Sequence, residues 1–213
     1  MNQLVLKDAV RAALPTPART LVRRALAGRQ MERWVADGCP IPAPNAVKQN
    51  VVRMHQKASG HRVLIETGTY LGNMIEAQRP YFDRIVSIEL SEMLWERATR
   101  LFAPHPEVKI VRGDSAVMLA EVLKDLHEPA VFWLDGHYSA GVTAKGAKEC
   151  PVLEELEAIF AHPVRNHVIL IDDARAFDGT NDYPTLDHLT QFVAKHRPDY
   201  RLENRYDVIR LLP

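Results

Sequence analysis

Short apolar runs alternate with helix-type patterns along the chain from about residue 61 onward. The runs at 63–65 and 130–134 hold consecutive apolar residues, as interior strands of a parallel sheet do when both faces are buried. Between the runs, apolar residues recur at the spacing of an amphipathic helix. Strands are expected near 62–66, 84–89, 108–111, 130–135 and 167–171. This alternation predicts a parallel α/β sheet with helices on both faces.

The C-terminal part of the chain breaks the alternation. Two extended runs within residues 200–211 follow each other too closely for a crossover helix, so they are expected to pair antiparallel. The whole pattern predicts a doubly wound, mostly parallel seven-stranded sheet that ends in an antiparallel hairpin.

Residues 1–60 have a different pattern, helical throughout and without a strand signal. Prolines at 40, 42 and 44 interrupt it and predict an extended linker before a helix that starts at Asn45. We therefore expect an N-terminal helical accessory segment over 1–60 and a main domain over 61–213. Interleaved basic residues favour a solvated helix face, with docking on a membrane or a partner as the alternative. The same helices offer a surface for a homodimer.

Composition narrows the function classes. The formal net charge is zero, so no whole-molecule attraction to nucleic acid or acidic lipid is expected. The pattern contains neither a signal peptide nor an apolar run of the roughly 20 residues that a membrane span needs. Cys39 and Cys150 lie far apart without metal-ligand spacing, which argues against a disulfide framework. A cytoplasmic protein is expected.

Acidic residues end four of the expected strands. They are Glu66, Glu89, Asp135 and Asp172. In open parallel sheets, ligands bind outside the carboxyl ends of the strands. A single acid there is usually a helix cap, but four in succession predict a ligand site along this edge.

The turn after the first strand restricts the ligand. A dinucleotide fingerprint would need glycine at 70 and 73, where the chain has Tyr70 and Asn73. Tyrosine would obstruct the approach of a pyrophosphate, so NAD and FAD are not expected. Glu89 follows the turn at the distance where an acid accepts ribose hydroxyls. Asp114, after the next strand, would accept from an adenine amine or simply cap a helix.

These residues together resemble a known family. Glu66-x-Gly68-x-x-x-Gly72, Glu89 and Gly113-Asp114-Ser115, followed by the terminal hairpin, are similar to the class I S-adenosylmethionine-dependent methyltransferases, whose sheet is Rossmann-like. The resemblance implies S-adenosylmethionine as cofactor, with its methionine part over the glycine turn, its ribose on Glu89 and its adenine near Asp114. Tyr70 departs from the glycine that many members have there. The implied cofactor-binding residues are Glu66, Gly68, Thr69, Tyr70, Gly72, Glu89, Asp114 and Ser115.

The second half of the sheet resembles a narrower group. The segments 134–138 and 169–173 are similar to metal-dependent O-methyltransferases that modify sugars. That resemblance implies a divalent cation held by Asp135, Asp172 and Asp173. Oxygen ligands favour Mg²⁺, with Mn²⁺ or Ca²⁺ as alternatives, and three neighbouring carboxylates repel unless a cation or protons compensate them. The competing interpretation is that Asp173 caps a loop and Asp172 meets an arginine such as Arg175.

The function predicted is metal-assisted O-methylation, by S-adenosylmethionine, of a small-molecule hydroxyl such as that of a sugar or glycosylated natural product. The acceptor proton would go to Asp135 or His137, the latter standing where sugar methyltransferases often have an acid. Residues 138–149 would form a lid or a plain solvated loop. The alternatives are a catechol-like phenol as acceptor, or a cofactor-binding scaffold without catalysis. No basic stripe in the main domain suggests a nucleic-acid substrate.

Overall fold

One mixed sheet of seven strands organises the protein. The computed structural model describes residues 16–136 and 148–213, with side chains from residue 25 onward. The strands are β1 Val63–Thr67, β2 Arg84–Glu89, β3 Val108–Arg112, β4 Ala130–Leu134, β5 Val168–Ile171, β6 Arg201–Arg205 and β7 Val208–Leu212. Their spatial order is β3-β2-β1-β4-β5-β7-β6, and β7 alone runs antiparallel to its neighbours β5 and β6. The predicted sheet and its terminal hairpin are confirmed.

Helices connect the strands as the pattern predicted. They are α1 Thr16–Ala36, α2 Asn45–Ser59, α3 Asn73–Gln78, α4 Glu92–Phe102, α5 Ser115–Leu123, α6 Val152–Ala161 and α7 Leu186–His196, with a 3-10 helix at Ala174–Ala176. The first strand starts and ends one residue later than expected. Glu66 is therefore the penultimate residue of β1, with Thr67 at its end, and its side chain is buried within the sheet.

The two faces of the sheet carry separate apolar cores. Alternate residues of β4 divide between them: Phe132 packs in the cluster that also holds residues of α5, α6 and α7, whereas Val131 and Trp133 pack with residues of α2, α3 and α4. All three of these β4 side chains are almost fully buried. The double covering explains why the strand is apolar at every position.

The chain forms two compact units, one ending at Lys48 and the other beginning at Gln49. Within the first, the indole N–H of Trp34 donates to the carbonyl of Pro40 at 2.8 Å, tying α1 to the proline segment that follows it. The division at residue 60 stays a prediction. Cys39 and Cys150 are both free thiols. Within the described ranges, no helix combines the length and apolar character needed to cross a membrane.

Candidate functional site

Three of the predicted site residues donate backbone hydrogen bonds to neighbouring strands at the carboxyl ends of the sheet. Beyond the strand ends, the amide of Gly68 donates to Ile88 O at 2.9 Å, and that of Asp135 donates to Thr67 O at 3.1 Å. The amide of Asp172 donates to the carbonyl that ends β4, at 3.0 Å. The sheet therefore positions the exits of β1, β4 and β5 relative to one another.

The turn after β1 needs its glycines for packing as well as for conformation. Gly68 has φ +83°, and a Cβ there would lie 2.2 Å from the backbone oxygen of Asp135. Gly72 has φ +70°, and a Cβ there would lie 2.7 Å from a ring carbon of Phe102. Tyr70 between them is also left-handed, with φ +46°. The backbone thus takes the conformation that favours glycine, while the tyrosine side chain is 45% exposed.

Glu89, at the end of β2, is held against this turn. Its Oε2 accepts from the amide of Tyr70 at 2.8 Å, and its Oε1 accepts from the amide of Ser91 at 2.9 Å. Burial raises the pKa of this carboxyl, whereas the backbone donors oppose that shift. An ionised carboxylate offers about four acceptor positions, so the group can accept from ribose hydroxyls in addition to backbone amides.

Glu66 lies in a buried chain of polar groups beneath the turn. Its Oε2 accepts from Ser87 Oγ at 2.5 Å, and that hydroxyl is 2.6 Å from Thr69 Oγ1. Burial raises the pKa of Glu66 well above its ordinary value; the Ser87 hydrogen bond opposes this, and the charges of Asp135 and Glu89 add to it. A ligand cation near the turn would favour the ionised form.

Asp114 and Ser115 occupy the start of α5. Asp114 Oδ1 accepts from the amide of Ala116 at 3.0 Å, so the expected helix cap is present. Ser115 is buried and points toward the exit of β4: a Cβ on Gly136 would lie 2.9 Å from Ser115 Oγ and 3.0 Å from Glu155 Oε1.

A small pocket opens beside these groups at the exits of β4 and β5. It is mainly apolar with two buried acids, and its lining residues are Leu134, Gly136, Cys150, Pro151, Val152, Glu155, Ile171, Asp172, Phe177 and Tyr183. The rings of Phe177 and Tyr183 meet edge to face, with centroids 5.4 Å apart. Burial raises the pKa of the Cys150 thiol to about 12, so this cysteine is not a nucleophile at neutral pH.

Sequence reasoning missed Glu155 as a site residue, although a signal for it was present. Glu155 shares the helical stripe of Val152, Leu156 and Ile159, which all face the core. An acid on an apolar stripe is buried, and here it reaches the pocket. Phe177 and Tyr183 had no comparable signal, because they come from an irregular connection after β5.

The two consecutive acids after β5 diverge. Asp172 is buried and lines the pocket, and its Oδ1 accepts from the amide of Asp173 at 2.8 Å. Asp173 is left-handed, with φ +55°, and its Oδ1 accepts from Arg175 Nη1 at 2.8 Å. Arg175, which the sequence suggested as a partner of Asp172, therefore pairs with Asp173.

Asp135, Asp172 and Asp173 do not fit a divalent cation in this arrangement. In the ranges that the structure describes, no three His, Cys, Asp or Glu side chains are grouped so that they could hold a metal ion. A grouped set is what a hard cation requires, with its oxygen ligands converging at about 2 Å. His137 and residues 138–147 of the predicted lid lie outside the described residues.

Comparison with solved structures identifies the fold. No family model matches the chain, and no curated protein does. A Staphylococcus aureus protein assigned as a caffeoyl-CoA O-methyltransferase is similar over 98% of each chain (TM-score 0.56, 12% identity). A Bacillus cereus O-methyltransferase in complex with S-adenosylhomocysteine (SAH) is similar over 89% of this chain and 91% of its own (TM-score 0.54, 14% identity). For the O-methyltransferase TomG of Streptomyces achromogenes, involved in tomaymycin synthesis and bound to S-adenosylmethionine (SAM), the shares are 87% and 88% (TM-score 0.54, 14% identity).

The chain has the fold of these methyltransferases. The Rossmann-like class I architecture expected from the sequence is therefore confirmed. At such low identity the likeness concerns the fold, and the activity depends on the chain's own residues.

Proposed function

We propose that this protein is a SAM-dependent O-methyltransferase that acts on a hydroxyl group of a small molecule. The observation that carries the proposal is the contact between the glycine turn and Glu89, where the amide of Tyr70 donates to the carboxylate at 2.8 Å. A carboxylate held beside a turn that allows close approach of a ligand supports a role for Glu89 as the acceptor of ribose hydroxyls.

The residues around the glycine turn would each contact a different part of SAM. Gly68 to Gly72 would lie under the methionine part, with the buried carboxyl of Glu66 balancing its ammonium group. Glu89 would accept from the ribose hydroxyls, and Asp114 from the adenine amine. SAM, when bound, supplies a methyl group activated by its sulfonium. The protein's task is then to position donor and acceptor in line and to exclude water.

The small pocket at the exits of β4 and β5 would receive the hydroxyl end of the acceptor. Proton removal makes a hydroxyl a better nucleophile, and the buried acids Glu155 and Asp172 line this pocket. Asp135, at the exit of β4, is a third carboxylate at this edge, and its proton-accepting role remains a prediction.

The lining of the pocket favours the phenol alternative over a free sugar. Phe177 and Tyr183 present two rings, and most of the remaining lining is aliphatic. A flat aromatic acceptor buries more apolar surface against such walls than a polyhydroxylated sugar does. A glycosylated natural product with an aromatic or aliphatic aglycone could pack that aglycone against the same apolar residues.

The proposed reaction does not depend on a bound metal ion. The predicted ligand set is not grouped, since the Asp173 carboxylate is directed at Arg175. No step of the proposed reaction passes through a cation.

Calorimetric titration of the protein with SAM and SAH tests the proposal. We expect one molecule of each to bind per chain, with dissociation constants between about 1 μM and 1 mM. Binding of neither ligand would reject every methyltransferase interpretation. Transfer of labelled methyl from SAM is then followed over panels of phenols and of glycosides. Binding without transfer to any member of either panel would favour the non-catalytic scaffold.

A further inference from the structure

Arg175 links two carboxylates from distant parts of the chain. Its Nη1 donates to Asp173 Oδ1 at 2.8 Å and also to Asp207 Oδ2. Its backbone amide donates to Asp207 Oδ1 at 2.9 Å. The Asp207 side chain is 1% exposed and that of Asp173 is 15% exposed, whereas that of Arg175 is 38% exposed. The two carboxylates are therefore largely withdrawn from water, and the guanidinium between them is partly exposed.

The same residues join the exit of β5 to the hairpin turn between β6 and β7. The amide of Ala174 donates to the carbonyl of Asp207 at 3.0 Å. Tyr206 and Asp207 form that turn with φ +56° and +62°. The side chain and the backbone of Asp207 both contribute to this junction, and Arg175 contributes its guanidinium.

Arg175 compensates part of the repulsion expected among the neighbouring carboxylates at the strand ends. Adjacent strand-end carboxylates need a compensating positive charge, and a guanidinium between two carboxylates supplies one through charge-assisted hydrogen bonds. The Asp173 carboxylate is drawn toward the hairpin turn, while Asp172 alone enters the pocket. The Asp173 carboxylate is thus engaged by a guanidinium, and within the described residues these acids are not part of a group that could hold a metal ion.

We propose that Arg175 takes the place of a divalent cation at the exit of β5, so that the protein holds no metal there and transfers methyl groups without one. The part of this statement that concerns the reaction rests on the proposed function, whereas the part that concerns metal binding does not. Arg175 acts as a positioning residue, because it fixes Asp173, whose amide in turn donates to the Asp172 carboxylate at 2.8 Å.

Electron paramagnetic resonance of Mn²⁺ provides the first test, on full-length protein stripped with EDTA and desalted. The wild type should leave the free Mn²⁺ spectrum unchanged at protein concentrations of about 100 μM, well above the dissociation constants of tight protein sites. A saturable Mn²⁺ site that Asp172→Asn or Asp173→Asn abolishes would overturn the proposal.

Variants of Arg175 provide the second test. Arg175→Gln removes the charge and should acquire Mn²⁺ binding through the released carboxylates, whereas Arg175→Lys keeps the charge and should not. Failure of Arg175→Gln to bind Mn²⁺ would show that the guanidinium is not what excludes the cation. A purely structural role would not separate these two variants in the Mn²⁺ spectrum.

Thermal unfolding in EDTA tests the junction of Arg175 with Asp207 independently of Mn²⁺ binding, and it also detects a variant that is unstable. Arg175→Gln and Asp207→Asn should each lower Tm by about 5 °C, and the double variant should lose less than the sum. The matched control is Arg62→Gln, which breaks the exposed pair with Asp83 and should shift Tm by about 1 °C or less. An unchanged Tm in Arg175→Gln would contradict the proposed junction.

SAH titration of the same samples separates this inference from the proposed function. If the wild type binds neither SAH nor Mn²⁺, the proposed function fails while the assignment of Arg175 stands. If the wild type binds SAH and also binds Mn²⁺ through Asp172, the proposed function stands and this inference fails.

Discussion

The amide of Tyr70 donates to Glu89 Oε2 at 2.8 Å and so connects the turn after β1 to the end of β2. The left-handed backbone of Tyr70 directs this amide toward the carboxylate. This hydrogen bond fixes the carboxylate against the turn, so Glu89 would be preorganised for the ribose of the proposed cofactor.

Glu89→Gln tests this group directly. The amide side chain offers one acceptor oxygen in place of two, so it cannot accept from both ribose hydroxyls and both backbone donors. We expect the affinity for SAH to fall about 10- to 100-fold, corresponding to roughly 1.4–2.8 kcal/mol. Glu92→Gln is the control, because that acid is exposed and paired with Arg112, and its SAH affinity should match the wild type. Equal affinities for both variants would remove Glu89 from the cofactor site.

Gly68→Ala should disrupt the turn itself. The added Cβ would meet the Asp135 backbone oxygen at 2.2 Å, and backbone atoms of a sheet cannot move aside cheaply. We expect a loss of about 3 kcal/mol or more in the free energy of unfolding, measured by urea denaturation. Gly60→Ala is matched in backbone conformation, with φ +74° and nothing within 4 Å of the added Cβ. It should lose only about 1 kcal/mol, and an equal loss in both variants would mean that conformation alone explains the requirement at Gly68.

The raised pKa of Glu66 predicts a pH-dependent affinity for SAM. Because the pKa of Glu66 is raised in the folded protein, this group adds to the free energy of unfolding of the ligand-free protein at low pH. That contribution is lost as the pH rises through the raised pKa. The ligand's ammonium favours the ionised form, so affinity should increase as the pH rises from about 5 and level off above that pKa. Calorimetry across this range measures the effect. Glu66→Gln should bind more weakly with a flatter profile, and an unchanged profile in that variant would assign the pH dependence to another group.

His167, at the opposite edge of the sheet, predicts a loss of stability in acid. Its ring is fully buried against Phe132, and its Nδ1 accepts from the amide of Ala130 at 3.1 Å. Burial, with smaller effects from nearby positive groups, lowers the pKa of His167 to about 4. The unfolded chain takes up the proton near pH 6.5 and the folded chain near pH 4, so the free energy of unfolding should fall between these values, by about 3 kcal/mol at most.

Urea denaturation at several pH values checks this expectation. His167→Asn keeps an acceptor for the Ala130 amide and removes the titration, so its stability should depend less on pH between 6.5 and 4. His188→Asn, at an exposed position of α7, should retain the wild-type dependence. Identical curves for wild type and His167→Asn would assign the acid sensitivity to other groups.

The sheet was predictable because its signals are local. In the run 84–89, Ile85 on one face and Val86 and Ile88 on the other are apolar, the run ends in an acid, and β2 has those bounds. The exits of the strands then follow from topology, since parallel strands bring their carboxyl ends to one edge. The first strand was misplaced by one residue because Glu66 reads as a strand-end acid, whereas hydrogen bonding to Ser87 lets it enter the buried part of the sheet.

The junction at Arg175 was not predictable in the same way. Asp207 lies 32 residues from Arg175 in sequence, and the two meet only because β7 inserts between β5 and β6. Sequence reasoning recognised that the acids after β5 need a positive charge and named Arg175 as one source. Which acid it would contact depended on the left-handed backbone of Asp173, and nothing in the local pattern indicated that conformation.

The hydrogen bonds of Gly68, Asp135 and Asp172 to neighbouring strands have a consequence for how the site would evolve. Their amides are hydrogen-bonded to strands of the sheet. We therefore expect these amides to exchange hydrogen slowly, at a rate set by opening of the sheet and not by motion of the loops that follow. Insertions or exchanges in those loops could therefore reshape acceptor recognition while the carboxylates at the strand exits keep their spacing. Selection for a new acceptor and selection for a stable protein would then act on largely different residues.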